Sequence, residues 1–196
     1  VTNVQVLANL APVPASCDDE NDTSAQAGAT PGSTPVDVTV TAGQGFCAPA
    51  GGAAALGTPA FSSGPVTAKI DTDGNPLMAS TDATWQAGTS GSVNGQPVNS
   101  PQYSYVVMSS RQMRQSGVVL GDWAQVTNPA TGQATFARVE DRGPDQGLGE
   151  ISQAAASSVG IQYLPSSATV GDPTVVVTAY AQSANIAADC QTVAVN

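Results

Sequence analysis

Histidine is absent from this chain of 196 residues, and lysine occurs once, at Lys69. Without an imidazole base, serine and cysteine hydrolases of the usual kind are excluded, so any acid–base chemistry falls to carboxylates. Three cysteines, Cys17, Cys47 and Cys190, form no CxxC pair. With no histidine beside them they offer no ordinary zinc ligand set, and neither a metal nor another cofactor is expected. Positive charge is scarce, with 5 basic residues against 15 acidic and a formal charge of −10. No surface of such a chain neutralises a run of phosphates, which excludes nucleic acid as a partner, whereas an acidic field gathers cations and cationic polymers. No stretch approaches the roughly 20 apolar residues of a membrane-spanning helix. The sequence starts at Val1 rather than Met, as a processed exported chain would, and a secreted, extracellular protein with one disulfide is expected; spacing does not choose the pair.

What is present is turn chemistry: 20 glycines and 14 prolines, with only 10% charged residues. That profile fits a β protein kept soluble by uncharged polar groups. Residues 1–60 read as an irregular N-terminal extension with a few strands, among them the alternating Val36-Asp37-Val38-Thr39-Val40. The acidic run Asp18-Asp19-Glu20-Asn21-Asp22 lacks the glycine and terminal Glu of an EF-hand and reads as a solvated loop. Residues 42–63, crowded with Gly, Ala and Pro, read as coil. Residues 61–196 read as the main domain. Strands are expected at 66–71, 103–108, 123–127, 135–139 and 174–180, with a hairpin loop at 128–133. One short helix is expected where Ile151, Ala155 and Val159 recur four apart before Gly160. The fold class that follows is mainly β, a small six-stranded barrel with one short helix and long loops.

The strand ending at Val139 delivers Glu140 and Asp141, the segment Arg142-Gly143-Pro144-Asp145-Gln146-Gly147-Leu148-Gly149 turns the chain, and Glu150 stands at the threshold of the helix. Two carboxylates framing one loop suit glycoside hydrolysis, which needs a protonated carboxyl on the leaving oxygen and a carboxylate acting on water or on the anomeric carbon. Acids here also have ordinary structural uses, as turn caps and as partners of a helix N-terminus. Asp145 in the loop is a third candidate. Trp85, in a long polar loop, is the expected sugar-stacking platform, while Trp123 is expected in the core.

The residues Tyr105-Val106-Val107, Gly121-Asp122-Trp123-Ala124, Ala137-Arg138-Val139-Glu140-Asp141-Arg142-Gly143-Pro144 and Gly149-Glu150-Ile151-Ser152, with Lys69-Ile70-Asp71-Thr72-Asp73-Gly74 upstream, resemble the chitosanases of glycoside hydrolase family 75. The resemblance covers about residues 66–180. It implies a secreted, endo-acting, inverting hydrolase of chitosan with Asp141 and Glu150 as its catalytic pair, acting as a monomer on a polysaccharide. Asp71, Asp73, Arg142 and Asp145, with Trp85, are the expected substrate-binding residues. Asp141-Arg142-Gly143-Pro144 before an Ala-rich helix is also similar to the double-psi β-barrel of rare-lipoprotein-A-like proteins and expansins, which implies a lytic or non-catalytic barrel on cell-wall glycan. The residues Asn75-Pro76-Leu77-Met78 depart from the chitosanase pattern. An inverting mechanism sets the two carboxyls roughly 6.5–9.5 Å apart.

Overall fold

Valine, threonine and aromatic residues recur in the chain's apolar runs, and such residues suit a pleated sheet. In the computed structural model, which describes residues 3–7, 35–39, 45–93, 95–145, 148–164 and 168–192, they form strands. In chain order these are β1 (Asn3–Leu7), β2 (Pro35–Thr39), β3 (Gly45–Pro49), β4 (Phe61–Thr67), β5 (Lys69–Asp71), β6 (Ser92–Val93), β7 (Gln96–Pro97) and β8 (Tyr105–Ser109). Helix α1 (Ser110–Ser116), β9 (Trp123–Thr127), β10 (Ala134–Gly143), β11 (Glu150–Ser152), α2 (Gln153–Ser158), β12 (Thr174–Ala179) and β13 (Ala188–Thr192) follow. Seven strands make the main sheet, in the order β4-β12-β9-β10-β8-β11-β5, curled into a half-barrel. The protein is therefore mainly β, as its sequence indicates, with seven strands in the main sheet rather than six.

Several local expectations are corrected. Residues 42–63 are not all coil: β3 and a 3-10 turn at Gly52–Leu56 lie there, and β4 begins at Phe61. The run expected as one strand at 66–71 breaks at Ala68 into β4 and β5, which pair with different neighbours. A second helix, α1, follows β8. Ser109 caps it, accepting from the Gln112 N–H while the Gln112 side chain accepts from the Ser109 N–H, and Gly117 ends it at φ 73°. Glu150 is not at a helix threshold but in β11; the cap of α2 is Ser152. The acidic run at 18–22, Cys17 and residues 146–147 lie outside the described residues.

The concave side of the sheet is filled by Val106, Val126, Ala137, Val139, Ile151, Val175 and Val177, with Ala155 and Ala156 of α2 against them. Each fully buried valine or isoleucine contributes about 1.5–3 kcal/mol. A second cluster joins Leu56 to Trp123, Phe136 and Tyr180, with the Trp123 and Phe136 rings edge-on at 6.4 Å, so the chain before residue 60 packs on this domain. The antiparallel register of β3 and β13 sets Cys47 opposite Cys190. Backbones so paired stand about 4.5–5.5 Å apart, inside the span of a disulfide.

Candidate active site

Strand parity builds the site. In β8, Val106 and Met108 enter the concave core, so Tyr105 and Val107 point to the other face, where they pack with Val98. Partners across a parallel ladder share a face. In β10, Val139 pairs with Val106 and belongs to the same core, and a bulge then follows: the next residue paired with β8 is Asp141, opposite Val107, with Glu140 as the extra residue. A bulge re-aims the side chains beyond it. Without it, Glu140 would take the place beside Val107 and Asp141 would turn into the apolar core. In β11, Ile151 enters the core, so Glu150 and Ser152 join the polar face. In β5, Lys69 and Asp71 pair with those two and lie there also. Four adjacent strands therefore present Asp141, Tyr105, Glu150 and Asp71 on one face.

Hydrogen bonds fix these groups. Asp141 Oδ1 accepts from the N–H groups of Ser90 and Arg142, both at 2.8 Å. Asp71 Oδ1 accepts from the Asp73 N–H at 2.9 Å, and Asp73 Oδ1 from the Gln86 N–H at 2.6 Å. Ser100 ties the ends together: its hydroxyl donates to the Asp71 carbonyl and accepts from the Gln153 N–H, while its own N–H donates to the Asp73 carbonyl. The Ser152 hydroxyl accepts from Tyr105 N–H and from Ala155 N–H, joining β8 to the start of α2. Two glycines allow close approach. A Cβ at Gly149, where φ is 79°, would lie 2.6 Å from the Thr67 carbonyl oxygen, and one at Gly91 would overlap the Glu140 carboxylate.

Crowded acids in a dry setting resist ionisation. Burial, then the charge of Asp71, pushes Asp73 up to about 7. Burial raises Asp71 to about 6, with the Asp73 N–H opposing the rise and Asp141 adding to it. Glu150 is raised to about 7 by burial and then by Asp71, against Lys69. Burial also lifts Glu140 to about 7, against Arg138. Burial drives the Tyr105 phenol far above its usual value.

Asp71, Asp73, Asp141 and Glu150, all named from the sequence, thus lie close enough to act on one another's charge. Trp85 is half-buried and precedes Gln86, the residue that holds Asp73. Arg142 is exposed and lines a cavity of about 450 Å³ with Ser110, Met113, Arg114, Val118 and Val119, beside α1. Asp145 is exposed in the turn after β10. Neither is drawn into the acidic group. Sequence reasoning missed Tyr105, Ser90 and Ser100 as parts of the site. β8 is apolar over Tyr105–Met108 and buried throughout, so no alternation marks which of its residues faces the site, and Ser90 and Ser100 sit in a loop without periodicity. A scan of the chain against protein-family models and a search of curated proteins each returned no match.

Proposed function

We propose that this protein is a secreted glycoside hydrolase that cleaves chitosan internally with inversion, using Asp141 as general base and Glu150 as general acid. The observation that carries the reading is their placement on the same polar face of two strands that both flank β8. Strands so separated have backbones about 9.5 Å apart. Side chains rising from them suit the roughly 6.5–9.5 Å gap in which an inverting enzyme seats its water.

In the reaction, Glu150 delivers its proton to the glycosidic oxygen as the bond to the anomeric carbon breaks. Asp141, oriented by two main-chain donors, takes a proton from water, whose oxygen bonds to the anomeric carbon from the opposite side. Burial among acids keeps Glu150 protonated into the range where a general acid is useful. The acidic face also suits a substrate whose amines carry positive charge.

Asp141 is only 6% exposed, which favours a second reading: a non-catalytic barrel that binds cell-wall glycan. Release of reducing ends decides between them. The enzyme reading expects product from chitosan between pH 4 and 7 and none from peptidoglycan. Background release from chitosan across that range would overturn it.

A further inference from the structure

We infer that Asp71, Asp73 and Asp141 form a binding site for a hard divalent cation of calcium's size. Each offers a carboxylate oxygen, and the three oxygens lie within 4.8 Å of one another. Calcium accepts carboxylate oxygens at about 2.3–2.6 Å in flexible geometry, whereas magnesium dehydrates reluctantly, demands a near-ideal octahedron and is seldom held by protein carboxylates alone. The donor set is all oxygen, which suits these hard ions and not zinc.

Three negative side chains, each 5–6% exposed, are costly to bring together without a counter-charge. Main-chain N–H groups occupy Oδ1 of all three, which orients the carboxylates before any ion arrives. A separate observation points to a missing partner. Asp71 Oδ2 and the hydroxyl of Tyr105, a residue 0% exposed, are both buried without a well-formed hydrogen bond, the phenol lying near enough to favour the charged Asp71 carboxylate but not in bonding geometry with it. Two unsatisfied oxygens at one buried spot, from an acid and a phenol, are unusual in a native fold. A cation, with the water it carries, satisfies both. The expectation of no metal rested on the lack of His and Cys ligands, and it did not weigh carboxylates from three separate strands and turns.

Terbium(III), which takes calcium's place on oxygen ligands and is sensitised by nearby aromatic rings, is the probe. Titration of the full chain with no glycan present is expected to give saturable emission from one bound ion, reversed by calcium at lower concentration than by magnesium. Asp71→Asn and Asp73→Asn should each weaken binding at least about tenfold, while Asp145→Asn, at an exposed acid, leaves it unchanged. Calcium should raise the melting temperature of the parent chain and not that of Asp71→Asn, which also reports that the variant folds. Non-saturable emission, or equal losses for Asp71→Asn and Asp145→Asn, would show only a diffuse ion atmosphere and overturn the site. An ion on Asp141 competes with the proposed role of that carboxylate as base, so no glycan enters the titration; hydrolysis without terbium binding defeats the cation site alone, and binding without hydrolysis defeats only the enzyme reading.

Discussion

The middle of β10 and its far end treat charge in opposite ways. At its middle, Arg138 lays its guanidinium over the Trp123 ring, 4.0 Å from the centroid, and donates to the carbonyls of Gly121, Ala184 and Ile186. Nearby Asp122, 0% exposed, accepts from the N–H groups of Val119, Ser183 and Ala184, each at 2.8 Å. Burial pulls Arg138 below its ordinary value while Glu140 and Asp122 oppose the shift. Past the bulge, Asp141 joins acids that repel one another and leave an oxygen of Asp71 unpaired. Both regions are buried. Saturated charges hold loops in place, whereas unsaturated ones store free energy that a proton, a cation or a substrate can release.

Breaking the proposed catalytic pair is expected to give the largest effect. Asp141→Asn and Glu150→Gln each lower chitosan hydrolysis by about 10²–10⁴-fold, since the amides keep the shape and lose proton transfer. Circular dichroism melting shows whether each variant stays folded. Near-normal turnover in either would remove that residue from its assigned role.

Stability should separate the two regions by sign. Asp122→Ala strips the acceptor from three N–H groups in a buried setting and is expected to cost about 3 kcal/mol in urea unfolding. Its turnover per folded molecule should match the parent. Asp71→Asn, the same residue type in the other region, removes a charge from a crowd and is expected to stabilise by about 1–3 kcal/mol at pH 8 without calcium. Destabilisation by Asp71→Asn would mean its charge is balanced as well as that of Asp122.

Much of this contrast was legible before the fold. Residues 123–127 read as a strand and are β9, and the loop 128–133 does join it to an antiparallel partner. Grouping Asp71 and Asp73 with Asp141 and Glu150 came from the resemblance, and the strand order brings them together. The bulge was not legible. Val139-Glu140-Asp141 reads equally well with either acid on the polar face, and only pairing with β8 decides. Helix α1 was missed although Ser109-Ser110-Arg111-Gln112 carries a capping box, because Gly117 follows too soon for a helical period to emerge. Glu150 was placed at a helix because Ile151, Ala155 and Val159 share its period. In the fold, Ile151 enters the core from a strand, and the helix starts two residues later.

Titration extends the comparison to pH. Asp71, Asp73, Glu140 and Glu150 all take up protons more readily in the folded chain than at their ordinary values of 3.8 or 4.5. Their contribution to stability is full below about pH 4 and is lost as pH rises through about 6 to 7. The melting temperature should therefore fall between pH 5 and 8 in a calcium-free buffer. Asp71→Asn should flatten the fall. A melting temperature that rises across that window would contradict the crowding of acids on this face.

The smallest expected effect is that of salt, and it tests the far field of the same face. With a formal charge of −10, the protein attracts a polycation over distances longer than any hydrogen bond, and about 0.1 M salt screens that attraction beyond about 10 Å. Contacts at a bond held between Asp141 and Glu150, as proposed, would be shorter than this. Added salt should thus raise KM on chitosan by a few-fold and leave kcat nearly constant, with little change on a neutral glycan. Asp73→Asn should lessen the salt dependence near pH 7, where Asp73 carries part of its charge, and not near pH 4, where it is protonated. Asp122→Asn should leave it intact, because Asp122 is enclosed by its own donors in the saturated region. Equal slopes for parent and Asp73→Asn at the higher pH would assign the attraction to the chain's overall charge, and a flat KM in the parent would remove electrostatic capture altogether.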